Sequence, residues 1–164
     1  MIRAAVKRLS FLLLTTLMLC ACNDVYHNFR STKGEWERND TLRFEFFAPN
    51  DSKEKYYDAR VEIRCTAEYP YKDLWMRIEA NSKGYSSPYV DTLHCDIFDE
   101  AGRHNGATAG TLFQLSFPIS SIPAANGDTL DISIIHIMDD EILKGVRDVG
   151  IRLSHPCQHQ SSRN

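Results

Sequence analysis

Arg60-Val61-Glu62-Ile63-Arg64-Cys65-Thr66-Ala67-Glu68 alternates polar and apolar residues over nine positions. A period of two is the pattern of a strand with one face in a core and the other in water. The flanks repeat it. Downstream, Tyr69-Pro70-Tyr71-Lys72-Asp73 supplies turn formers, and Leu74, Met76, Ile78 and Ala80 then alternate with Trp75, Arg77 and Glu79. Upstream, Leu42, Phe44 and Phe46 alternate with Arg43 and Glu45 until Pro49-Asn50-Asp51-Ser52-Lys53 breaks the run. Further strands are expected from Val90 to Phe98, over Phe113 to Ile119 and from Val149 to Leu153. Pro118 marks an edge or a strand end, because it cannot donate to a ladder. Leu130 to Met138 is almost wholly apolar and reads as a central strand. Asn126-Gly127 reads as the hairpin turn before it, and Asp139-Asp140-Glu141 as the start of one helical turn ending at Gly145.

About seven strands without helical periodicity between them predict an all-β chain. The expected architecture is a single antiparallel β-sandwich over residues 41–154, jelly-roll or Ig-like, with a closed barrel as the alternative. Residues 155–164 read as a polar tail and 22–40 as a lead-in or tether.

The N-terminus carries Arg3, Lys7 and Arg8, then an apolar run from Leu9 to Leu19, then Ala21-Cys22. That order is the processing site of a bacterial lipoprotein. Residues 1–21 are expected to be a cleaved signal peptide, with Cys22 as the lipid (palmitate) attachment point and mature N-terminus. The run is about a dozen residues, whereas a helix needs roughly 20 to span a bilayer, so an uncleaved anchor is disfavoured. Cleavage takes the formal charge from −3 to −6. An acidic domain disfavours nucleic acid as a partner and leaves membrane attachment to acyl chains.

Cys65 and Cys95 are each in phase with apolar neighbours and read as core thiols more readily than as a bridge, while Cys157 lies in the tail. Chemistry-bearing spacings are few. Neither His-Glu-x-x-His nor Cys-x-x-Cys occurs, and His94 with Asp96 offers only two candidate ligands. Gly84-Tyr85-Ser86-Ser87-Pro88 has proline where a nucleophile elbow needs its second glycine. Gly102, Gly106 and Gly110 open a turn-rich loop with no helix-period segment behind it to receive a phosphate. No cofactor, metal or catalytic set is expected. Trp75 is the side chain that attracts attention, since its phase with Arg77 and Glu79 places a large aromatic on the polar side of a strand. Tyr69, Tyr71, Tyr85 and Tyr89 are close in sequence and would extend it into a platform for a sugar ring or a partner protein.

Several segments together carry a resemblance: Cys22, Trp36, Tyr69-Pro70-Tyr71 with Leu74-Trp75, and Asp91-Thr92-Leu93-His94-Cys95. Asp99-Glu100-Ala101-Gly102-Arg103 and Gly145-Val146-Arg147-Asp148-Val149-Gly150-Ile151 follow in order. In this the chain resembles the gliding-motility lipoproteins of the GldH type found in Bacteroidetes. It departs from their pattern at His104, where an aromatic is expected, and at Thr111, where an acidic residue is. The resemblance implies a non-enzymatic lipoprotein of the cell envelope, lipid-anchored in the outer membrane. It also implies support of gliding motility and type IX secretion through contacts with other envelope lipoproteins. Trp75, Arg103 and Asp148 are the candidate interaction residues within those segments. A surface carbohydrate-binding module is the alternative.

Overall fold

The computed structural model describes residues 24–50 and 55–156. The signal peptide, Cys22 and Cys157 lie outside the described residues. The strands are β1 (Asp24–Ser31), β2 (Glu35–Glu37), β3 (Leu42–Phe47), β4 (Tyr56–Cys65), β5 (Asp73–Ser82) and β6 (Tyr89–Asp96). They continue as β7 (Ala107–Ala109), β8 (Leu112–Pro123), β9 (Thr129–His136), β10 (Ile142–Lys144) and β11 (Val146–Ser154). One sheet runs β1-β11-β4-β8-β7 and the other β3-β9-β5-β6, with β10-β2 as a small third pair, all antiparallel. Apart from the β5-β6 hairpin, successive long strands lie in opposite sheets, and the first and last of the eight pair at one edge, which is the jelly-roll order. That ordering decides between the jelly-roll and Ig-like alternatives.

The alternating runs behave as their period requires. Val61, Ile63 and Cys65 of β4 point into the core with Leu74, Met76 and Ile78 of β5 and Phe44 and Phe46 of β3. β9 is central, flanked by β3 and β5, and buries Leu130, Ile132 and Ile134. Pro118 sits where β8 has β4 on one side and, among the described residues, no strand on the other, because β7 pairs only with residues 112–114. Cys65 and Cys95 are buried free thiols. Burial raises the Cys65 thiol to about 12 and pushes Cys95 up as well, so neither is a ready nucleophile.

Four expectations are corrected. The lead-in is not a tether over 24–31. Those residues are β1, paired with β11 from Asp24↔Ser154 to Ser31↔Asp148. Its period is invisible because an edge strand tolerates polar residues such as Asn28 and Arg30 on the side facing the other sheet. Asp139-Asp140-Glu141 starts no helix. Leu143 in β10 is buried beside Trp36, and pairing with β2 outweighs a single turn that would carry the whole nucleation cost of a helix. Asn126-Gly127 makes a turn, with Gly127 at φ 71°, but not a hairpin, because β8 and β9 belong to different sheets. The strand of the opening nonapeptide ends at Cys65, leaving Ala67 exposed.

Trp36 plugs one end of the sandwich. It is fully buried, donates its indole N–H to Asp40 O at 2.9 Å and meets His136 edge-on, ring centroids 5.1 Å apart. His136 is buried in turn, its Nε2 3.2 Å from Trp36 O, and its Nδ1 has no partner among the described residues. Burial holds its pKa below the ordinary imidazole value. The unfolded chain therefore binds a proton here that the folded chain resists, so this term is fully stabilising above the unfolded pKa near 6.5 and is lost as pH falls through the folded value. Urea midpoints should drop from pH 7 to pH 5, and His136→Phe should flatten that slope. An unchanged slope in the variant would assign the pH dependence to other groups.

Candidate functional site

The register of the β3-β9-β5-β6 sheet brings three exposed side chains into one row on its outer face. Trp75 pairs with His94 of β6, and on its other side its carbonyl accepts the Ile137 N–H at 2.9 Å. Trp75 is 40% exposed and Ile137 46% exposed. The indole stacks on the His94 ring with centroids 4.3 Å apart and 28° between planes. Asp73 fixes both rings. Its Oδ2 accepts the indole N–H at 3.0 Å and lies 3.0 Å from His94 Nε2. The His94 bond first, and the indole bond with it, hold the Asp73 carboxyl below the usual carboxylate range against the upward push of burial. It stays ionised at neutral pH and acts as a clamp. Arg77, paired with Glu79 at 3.0 Å, rims the row, and Tyr71 and Ile142 are exposed at the same end of the sandwich. A rigid exposed aromatic with a polar rim is what a binding hot spot looks like.

The tyrosine platform does not form. Tyr69 is buried, donating to Asp73 O at 2.6 Å. Tyr85 reaches Lys55 O at the opposite end, and Tyr89 bonds Asp91 while packing against the core. Of the four, Tyr71 alone is exposed at the Trp75 end, with Tyr69 buried beside it. Sequence proximity misled because turns send neighbours to different ends of a sandwich. His94 and Asp96, read as possible ligands, are 3.9 Å apart, and among the described residues no cluster of three or more His, Cys, Asp or Glu is arranged to hold a metal ion.

Arg103 and Asp148 are not gathered to Trp75. Arg103 closes the loop after β6, where its N–H and guanidinium both bond Asp99, which is held below the usual carboxylate range chiefly by that backbone bond. It lines a cavity of about 620 Å³ with Phe98, His104 and Phe113. His104 lies flat on Phe113, centroids 4.8 Å apart and 4° between planes, and so does the packing an aromatic would do at that position. Asp148 is on the outer face of the other sheet, 4.0 Å from Arg64. That face holds what the sequence pattern missed. Glu62, read as part of a wet face, is 2% exposed. Its carboxylate meets His27 at 2.9 Å, Gln114 at 3.0 Å and Arg152 Nε at 2.7 Å, the last an ion contact not aligned as a hydrogen bond. Arg64 stacks over Phe29 at 3.8 Å. Period alone cannot reveal this, since long side chains from three other strands, β1, β8 and β11, do the burying.

The family described as GldH lipoprotein matches residues 24–153, the whole sandwich from the first residue of β1 almost to the last of β11. This chain belongs to the GldH lipoprotein family. As a GldH-type lipoprotein it is of the lipid-anchored class. No curated protein matches it. Among solved structures, tripeptidyl peptidase 2 is similar at 12% identity and TM-score 0.44, over 80% of this chain and 10% of that one. The chain thus spans about a tenth of that enzyme's length. The Eiger TNF of S. frugiperda is similar at 9% identity and TM-score 0.36, over 84% of this chain and 96% of that one. The EclA C-terminal domain, a sugar-binding protein, is similar at 10% identity and TM-score 0.28, over 79% and 74%. None of the three is close enough to carry a functional argument for this GldH-type chain.

Proposed function

We propose that this GldH-type lipoprotein is a non-enzymatic component of the outer-membrane envelope, anchored through an acylated Cys22. It supports gliding motility and type IX secretion by contacting other envelope lipoproteins. The observation that carries the reading is the exposed His94-Trp75-Ile137 row, with Trp75 already fixed by Asp73. Pre-fixed aromatics lose little side-chain entropy on binding, which is why they dominate interface energetics. The titratable groups at the row are engaged with one another, which favours contact over catalysis.

Trp75→Ala should leave folding within about 0.5–1 kcal/mol, as surface changes do. It should weaken capture of envelope lipoproteins from crosslinked cells about 30-fold, the equivalent of a hot spot of about 2 kcal/mol. Undiminished capture by a folded Trp75→Ala chain would reject the row as the contact surface. A glycan-array signal lost in the same variant would support carbohydrate binding instead.

A further inference from the structure

We infer that the end of the sandwich where β1 begins rests on the lipid bilayer that holds Cys22, with Phe47 and Tyr56 in the headgroup layer. This rests on Cys22 being the acylated residue. One residue, Asn23, separates Cys22 from Asp24, so the first residue of β1 lies within about 7 Å of the anchoring cysteine at full extension. The headgroup layer is itself about 5–8 Å deep on each side. No slack can be gained without unpairing β1. Asp24 is already in register with Ser154, and its carboxylate is 3.0 Å from Arg152.

Two exposed aromatics occupy that end, one on each sheet. Ser154 pairs onward with Asp58 of β4, two residues from Tyr56. Across the sandwich the end of β3 is tied in by Tyr26–Phe46 and Phe46–Tyr57 ring contacts at 5.7 and 5.0 Å. Phe46 and Tyr57 point inward and are buried, so their neighbours Phe47 and Tyr56 point out from opposite faces, 61% and 52% exposed. Rings that flank an anchored end match the belt position in which aromatics partition into a membrane interface. The acidic mature domain supplies no electrostatic pull to anionic lipid, so the contact is apolar. β5 runs from the far end to this one, with Ser82 paired to Leu130 beside Phe46. Trp75 is seven residues back along it and stands roughly 23 Å further from the lipid, at 3.3 Å per residue.

The test uses the full acylated chain, carrying Cys157→Ser, in vesicles of phosphatidylethanolamine and phosphatidylglycerol containing a headgroup-nitroxide lipid. A thiol-reactive fluorophore is placed through Phe47→Cys, Tyr56→Cys or Ile142→Cys; these sites are exposed, whereas Cys65 and Cys95 are buried. Quenching should be several-fold stronger at positions 47 and 56 than at 142. Equal quenching at the two ends, or stronger quenching at 142, overturns the orientation. The mass of the N-terminal peptide separates the two ideas. A peptide without acyl mass removes the anchor reading and this inference with it, whereas an acylated chain with equal quenching removes the orientation alone.

Discussion

Gly145→Ala is expected to cost about 2–5 kcal/mol, enough at the upper end to unfold a marginal domain. Gly145 joins β10 to β11 at φ 83°, where an L side chain costs about 1–2 kcal/mol. An added Cβ would also lie 2.2 Å from Tyr69 N, 2.5 Å from Tyr69 Cα and 2.8 Å from Glu68 C, all backbone atoms that cannot swing aside. Overpacking of that kind adds about 1–3 kcal/mol. The junction cannot shift freely, because Gly145 donates to Gly34 O and accepts from Thr66 N. Gly102→Ala is the control, with φ 75° and open space around the added carbon, and should show the strain alone. Urea midpoints at unchanged m-value give both numbers. Equal losses in the two variants would show that the Tyr69 contact relaxes.

Glu62→Ala should cost about 2–4 kcal/mol. Breaking a buried ion pair costs about 3–5, and the range is lowered here because Arg152 and His27 reach water. Arg152 would keep Asp24, but Gln114 and His27 would lose their shared acceptor. Glu62→Gln retains an acceptor and should lose less. The damage should appear first as faster amide exchange in β1, since the Glu62–His27 contact and the Arg152 contacts tie that edge strand to the sheet. A Glu62→Ala midpoint within experimental error of the native one would mean that the arginines and histidine are solvated well enough without the carboxylate.

Both variants test features that strand periodicity does not contain. β3, β4, β5 and β9 are legible because each buries one or both faces and repeats its apolar residues accordingly. β1 is not, because it earns its place by hydrogen bonds to β11 at an open edge and needs no apolar repeat. The outward phase of Trp75 is legible from its neighbours Leu74 and Met76. Its company is not: Ile137 sits in a largely apolar run and is set beside Trp75 only by the register, and Tyr69 and Tyr85 leave for the interior and the far end.

By itself the sequence determined local matters: the period of each long strand, the turns between them, the lipoprotein-type N-terminus and the segments that resemble the family. Those are set by residues a few positions apart. The tertiary structure alone decided the jelly-roll order, the burial of Glu62, the His94-Trp75-Ile137 row and the start of the domain two residues after Cys22. Each of these depends on which strands lie side by side. Pairing is chosen by the summed burial and hydrogen bonding of segments far apart in the chain, from 19 residues between Trp75 and His94 to 130 between Asp24 and Ser154.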